Sequence, residues 1–263
     1  MLGAIAGDII GSVYEWHPIK TKEFPLFDPY CHFTDDSVLT IAVAQALLTD
    51  GDYHSAVLSL GRRYPDAGYG GSFRQWLRDA DPQPYSSWGN GSAMRVSPVG
   101  WAFNTTEAVL QEAARSAAIT HNHPEGIKGA QATALALFLA RTVKDKETIR
   151  ATIEDRFGYD LHRTVDTIRP AYRFDVSCQG TVPEAIVAFL DSVSFEDTIR
   201  NAISLGGDSD TLACIAGGMA EAYYGPVPTP IAEKAADMPP ADLRAVVDEF
   251  CRRFAVPQAD RQP

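Results

Sequence analysis

The chain has little of what marks several common classes of protein. It holds four cysteines in 263 residues, Cys31, Cys178, Cys214 and Cys251, and none is spaced as C-x-x-C. That is too sparse for a disulfide framework and fits reduced thiols in a cytoplasmic protein. Basic residues are in deficit: 23 Lys and Arg against 34 Asp and Glu give a formal net charge of −11. With no long basic run, non-specific binding to nucleic acid is not expected. No stretch reaches the ~18 uninterrupted apolar residues of a membrane span. The N-terminal MLGAIAGDIIGSVYEW is apolar, but it lacks the basic start of a signal peptide and is broken by Asp8 and Glu15. Also missing are the G-x-S-x-G elbow, the Walker A loop and the G-x-G-x-x-G fingerprint. Asn90-Gly91-Ser92 and Asn104-Thr105-Thr106 match the glycosylation pattern but carry no weight without a secretory signal.

Period-2 alternation is scarce too, and there are no evenly spaced hairpin turns. What remains is helical periodicity. The spacing predicts helices from Asp36 to Leu48, Glu107 to Ala118, Gly126 to Arg141, Val182 to Ser192, Phe195 to Leu205, Asp210 to Tyr224 and Ala241 to Phe254. Gly3, Gly7 and Gly11 recur at i and i+4, which lets a neighbouring helix approach closely. Asp66 to Pro98, rich in Gly, Pro, Ser, Tyr and Trp, reads as irregular, as does Tyr159 to Gln179. With 45% hydrophobic and 22% charged residues and no evident linker, the expectation is an all-α globule, one domain over residues 1–263.

Two aspartate clusters carry the chemistry. Thr34-Asp35-Asp36 and Asp208-Ser209-Asp210-Thr211 lie far apart in the chain, and each opens a long apolar helix. Either one alone reads as an ordinary helix cap. A cap, however, needs one oxygen, and adjacent carboxylates repel unless a cation or base separates them. Two such surpluses point to a shared all-oxygen site for hard divalent cations, Mg²⁺ or Mn²⁺ rather than Zn²⁺. Glu15, flanked by Tyr14 and Trp16, is a candidate base with a tuned pKa, although alone it reads equally well as a surface residue.

Gly89-Asn90-Gly91-Ser92-Ala93-Met94-Arg95 is a glycine-rich turn whose amides suit phosphate oxygens, a weak signal taken alone. In Thr120-His121-Asn122-His123-Pro124-Glu125-Gly126 the two histidines lack a third ligand for zinc. A neutral His121 donating to a phosphate or ribose fits better. His17, His32, His54 and His162 read as structural or solvent-facing.

These motifs, in this order, resemble the ADP-ribosylglycohydrolase family. The matching segments are GAIAGDIIGSVYE, FTDDSVLTIAVAQALL, WGNGSAMRVSPVGW, ITHNHPEGIKGAQATALALFLA and ISLGGDSDTLACIAGGMAEAYYG, from residue 3 to about residue 225. The resemblance implies a compact all-helical fold with two Mg²⁺ or Mn²⁺ ions in a cleft. Thr34, Asp35 and Asp36 would supply ligands from one side, and Asp208, Asp210 and Thr211 from the other. Glu15 matches the glutamate that serves as gate or acid/base group, with Asp35 and Asp36 also catalytic. Gly89, Asn90, Gly91, Ser92 and Met94 match the loop lining the ADP-ribose pocket. His121 and the turn through Gly126 match the region holding pyrophosphate and adenosine. Many members follow the T-D-D triplet with threonine where this chain has Ser37, which keeps a hydroxyl.

The implied activity is hydrolysis of the glycosidic bond between ADP-ribose and an acceptor; a monomer is the default expectation. The alternatives are a metal-dependent nucleotide-pyrophosphate phosphohydrolase, releasing phosphate or AMP, and a non-catalytic ADP-ribose-binding member, which would be expected to lose ligands that are present here.

Overall fold

Fifteen α-helices make up the computed structural model, which describes residues 1–255. They are α1 (Leu2–Gly11), α2 (Asp35–Leu48), α3 (Tyr53–Arg63), α4 (Gly71–Arg78), α5 (Gly91–Met94), α6 (Ser97–Ala102), α7 (Thr106–Ala118) and α8 (Pro124–Thr142). There follow α9 (Lys146–Phe157), α10 (Val165–Ile168), α11 (Cys178–Leu190), α12 (Phe195–Ser204), α13 (Ser209–Tyr224), α14 (Thr229–Asp237) and α15 (Ala241–Phe250). No strand forms among the described residues; an isolated antiparallel bridge pairs Gly89 with Ser177. Residues 256–263 of the expected domain lie outside the described residues.

Local chemistry sets most helix starts. Thr34, Asp52, Thr105, Asp145, Ser177 and Ser194 each accept a backbone N–H of the first turn, satisfying a donor the helix cannot. Packing then selects the arrangement. Helices α1 and α13 form the most intimate pair, and they run antiparallel. A Cβ on Gly3 would lie 2.4 Å from Gly217 O, one on Gly7 2.0 Å from Ala213 O, and one on Gly11 2.6 Å from Ser209 O. Only glycine permits this backbone-to-backbone contact, as the i, i+4 spacing predicts. The end of α1 is thereby placed against the start of α13, and α2 packs on α1 so that its own start arrives at the same point.

Besides adding α3, α9 and α14, which the spacing did not predict, the structure departs from the sequence reading in three stretches. Asp66 to Pro98 contains α4, α5 and the start of α6. Phe73, Trp76 and Leu77 of α4 follow helical spacing and are buried, a signal hidden by the surrounding Gly and Pro. Tyr159 to Gln179 contains α10, and α11 starts at Cys178 rather than Val182, so Pro183 lies inside the helix. The carbonyl that loses its N–H partner belongs to Gln179, an exposed residue, which is why this proline is tolerated. The last helix ends at Phe250 rather than Phe254 and widens into a π-helical turn, Cys251–Ala255.

Candidate active site

Three helix ends bring the two aspartate clusters together. Asp36 and Asp210 lie in the first turns of α2 and α13, and both are buried. They meet Asp8 of α1: one carboxylate oxygen from each of Asp8, Asp36 and Asp210 lies within 4.8 Å of the other two. A second triple at the same spacing joins Glu15, Asp208 and Asp210, so Asp210 belongs to both. Asp35 is half-buried on the wall of the cavity above them, outside either triple. Thr211 Oγ1 donates to Asp36 Oδ2 at 3.4 Å.

Asp8 escaped the sequence reading. Its carboxylate accepts four hydrogen bonds from the start of α2: from Thr34 N at 3.0 Å, Thr34 Oγ1 at 2.5 Å, Ser37 N at 3.1 Å, and Ser37 Oγ. Ser37 therefore serves Asp8 through both its amide and its hydroxyl. Thr34 donates to Asp8 and accepts from Asp36 N at 3.3 Å, leaving one lone pair. The available clue was an aspartate alone among small and apolar residues in a helix buried from Gly3 to Gly11.

The electrostatics show what the cluster asks for. Burial, then Asp8 and Asp35, holds the Asp36 carboxyl well above its ordinary range; burial, then Asp208 and Asp36, does the same for Asp210. Asp35 is pushed up to about 8 by burial and by Asp8 and Asp208. Burial also raises Asp8, against its four hydrogen bonds. Asp36 Oδ1 is buried with no hydrogen-bond partner, and Asp208 leaves its own helix uncapped. Crowded, desolvated carboxylates with an orphaned oxygen fit divalent cations, and an all-oxygen donor set suits Mg²⁺ or Mn²⁺.

A cavity of about 550 Å³ opens above the carboxylates. One wall is the glycine-rich turn. Asn90 Nδ2 donates to Asp208 Oδ2 at 2.7 Å and to Thr181 Oγ1 at 3.1 Å, tying the turn to the second cluster. Gly89, Asn90, Gly91, Met94 and His121 line the cavity. Ser92 and Gly126 do not: Ser92 Oγ donates to Gly126 O at 2.7 Å, and both are buried behind the wall. Their role is to join the turn to the start of α8. The opposite wall comes from residues 66–74, where Gly68 adopts φ +104°, a conformation that favours glycine.

Glu15 stands at the mouth, just beyond the 3₁₀ turn Ser12–Tyr14. Burial and the Asp208 charge push its carboxyl up to about 7, against a hydrogen bond from the Trp16 side chain and the pull of His32. His32 is exposed, as expected, and also borders the cavity. Trp16, 73% exposed, stacks on Phe174 with ring centroids 5.8 Å apart and 27° between planes. Neither aromatic was singled out as a site residue, because Trp16 and Phe174 lie far apart in sequence and meet only in the fold.

The family model for ADP-ribosylglycohydrolase matches residues 1–260. ADP-ribosylhydrolase ARH3 of Xenopus tropicalis is 26% identical over 309 residues, covering 88% of this chain and 87% of that protein. ADP-ribosylarginine hydrolase Tri1 of Pseudomonas putida (strain GB-1) is 25% identical over 299 residues, covering 100% and 77%. A chain from a solved ADP-ribosylglycohydrolase-related protein complex superposes with a TM-score of 0.72 at 26% identity, covering 95% of this chain and 96% of that one. No helix among the described residues is long and apolar enough to cross a membrane.

Proposed function

Because the chain belongs to the ADP-ribosylglycohydrolase family, we propose that it hydrolyses the bond between the anomeric carbon of ADP-ribose and an acceptor, with two Mg²⁺ or Mn²⁺ ions as cofactors. The acceptor is a modified side chain such as arginine or serine, or a related ADP-ribosyl compound. The observation that carries this reading is the pair of carboxylate triples sharing Asp210 at the floor of a cavity sized for a small ligand. The ions would be held by Thr34, Asp35, Asp36, Asp208, Asp210 and Thr211, with Asp8 beside them. When bound, they supply Lewis acidity that makes hydroxide accessible near neutral pH.

The chain's own residues do the rest. Glu15, with its carboxyl near neutrality, takes a proton from the attacking water or positions the substrate. The surrounding carboxylates favour the positive charge that develops at the anomeric carbon as the bond breaks. Asn90 holds Asp208 in place. The Gly89–Met94 turn and His121 receive the diphosphate, so the acidic composition of the whole chain does not oppose an anionic ligand locally. The reading extends to a cytoplasmic monomer whose free cysteines stay reduced.

The test is turnover of ADP-ribosylated arginine and serine peptides with Mg²⁺, Mn²⁺ or EDTA, following free ADP-ribose by mass spectrometry. Release with metal and none with EDTA supports the reading, and the preferred peptide names the acceptor. AMP as product would replace it with the phosphohydrolase. Binding of ADP-ribose with no release from any substrate would favour a binding module.

A further inference from the structure

Behind His121 lies a short chain of hydrogen bonds that the proposed reaction does not use. Arg95 is wholly buried. Its Nη2 donates to Ser116 O at 2.9 Å and to Thr120 Oγ1 at 2.9 Å. Thr120 Oγ1 lies in turn 2.7 Å from His121 Nδ1. Arg95 Nε and Nη1 have no hydrogen-bond partner among the described residues, and no carboxylate pairs with the guanidinium there.

We infer that Arg95 and Thr120 lock His121 in the tautomer whose ring proton sits on Nε2, making it a fixed hydrogen-bond donor for a diphosphate oxygen of the ligand. The inference rests on the proposed ADP-ribose pocket for the identity of the ligand, and on proton counting for the rest.

A guanidinium only donates, so Thr120 Oγ1 accepts from Arg95. The hydroxyl has one proton of its own, and His121 Nδ1 is the acceptor it meets among the described residues. Nδ1 is therefore the bare nitrogen of the ring, and the ring proton lies on Nε2. That atom faces the glycine-rich turn: a Cβ on Gly91 would come within 3.2 Å of it and one on Gly89 within 3.7 Å. Nε2 makes no hydrogen bond among the described residues, and His121 borders the cavity. Burial and the Arg95 charge keep the ring from taking a second proton.

The arrangement matters because a phosphoryl oxygen only accepts. The opposite tautomer would present a lone pair to it, turning an attraction into a repulsion. Arg95 and Thr120 act through His121 and are positioning residues. The unpaired guanidinium also leaves a net positive charge beneath this wall of the cavity, opposite in sign to the carboxylate floor.

The experiment uses the full chain in Mg²⁺ with ADP-ribose as probe. Long-range ¹H–¹⁵N histidine spectra, with His121 assigned through H121Q, report the tautomer; calorimetry reports affinity. Wild type and Thr120→Ser should both show Nε2–H. Thr120→Val, which keeps shape and removes the hydroxyl, should populate Nδ1–H and bind ADP-ribose ~10- to 100-fold more weakly, the loss of one charge-assisted hydrogen bond. Three results would overturn the inference: Nδ1–H in the wild type, Thr120→Val weakening binding with the tautomer unchanged, or a changed tautomer with affinity intact. If Thr120→Val fails to fold, the wild-type spectrum and Thr120→Ser still decide. A wild-type protein that binds ADP-ribose with Nε2–H but releases none from any peptide would sink the hydrolase reading and leave this one standing.

Discussion

Asp8, inside one helix, closes the start of another: its carboxylate accepts from Ser37 N at 3.1 Å as well as from the Ser37 hydroxyl. The same residue contributes an oxygen to the buried triple with Asp36 and Asp210. Structure and chemistry therefore share one side chain. Asp8→Ala would leave the Thr34 and Ser37 amides without their acceptor. In Mg²⁺ the variant should lose about 2–5 kcal/mol of stability in urea unfolding. A loss below about 1 kcal/mol would show that water replaces the carboxylate freely.

Without metal, the carboxylate cluster gives stability an unusual pH slope. The folded state raises Asp8, Asp36 and Asp210, and pushes Asp35 up to about 8. Unfolded aspartates titrate near ~4. Between those values the folded chain holds more protons than the unfolded one, so stability falls as pH rises through the window. Below it, the contribution is fully present. Urea midpoints in EDTA should drop from pH 5 to pH 8, and saturating Mg²⁺ or Mn²⁺ should flatten the slope. A midpoint that climbs in EDTA over this range would contradict the assignment.

Glu15→Gln keeps the size of the side chain and removes the proton acceptor. With ADP-ribosylated peptide as substrate, kcat should fall ~100- to 10,000-fold while calorimetric binding of ADP-ribose stays close to wild type. Unchanged kcat would reduce Glu15 to a rim residue.

The Trp16–Phe174 stack braces the indole that neighbours Glu15 in sequence and borders the same cavity. Phe174→Ala removes about 0.5–1.5 kcal/mol of ring contact, which corresponds to a loss of roughly 2- to 12-fold in kcat/KM. Phe174 is 48% exposed, so the melting temperature should hardly move. An equal kcat/KM in the variant would mean that Glu15 is placed without the aromatic pair.

The glycine seam offers a stability test with an internal control. A methyl at Gly7 would lie 2.0 Å from the backbone oxygen of Ala213, whereas one at Gly71 meets nothing within 4 Å. Gly7→Ala should cost about 3 kcal/mol or more, or prevent folding. Gly71→Ala should stay within about 0.5 kcal/mol of wild type. Comparable melting temperatures for the two would show that α1 can shift away from α13.

Much of this architecture was legible from periodicity. Helices α2, α8 and α13 are long and apolar, the first two start at side-chain caps, and Gly3, Gly7 and Gly11 signalled a close neighbour without saying which. Helix α4 was hidden because its three anchors sit among turn-forming residues. The first turn of α11 lay in the stretch read as irregular, and the apolar spacing that marks the helix begins only at Val182. At the site, the paired aspartates stood out because each cluster holds more oxygens than a cap needs. Asp8 did not stand out, because its partners, Thr34 and Ser37, lie on another helix. Ser92 and Gly126 sit in matching motifs but turn away from the cavity, a distinction of direction that spacing does not encode.

The seam between α1 and α13 also sets a timetable for synthesis. Helix α1 leaves the ribosome well before α13, and it is buried in the final fold from Gly3 to Gly11, yet the helix that covers it begins about 200 residues later. At bacterial and eukaryotic elongation rates that is a wait of roughly 10–40 s. Throughout that interval an apolar, glycine-lined strip has no native cover, and Asp8 and Asp36 have no Asp210 to complete their cation site. The nascent chain thus carries uncovered apolar surface until α13 emerges, and metal can reward folding only after Asp210 has been made.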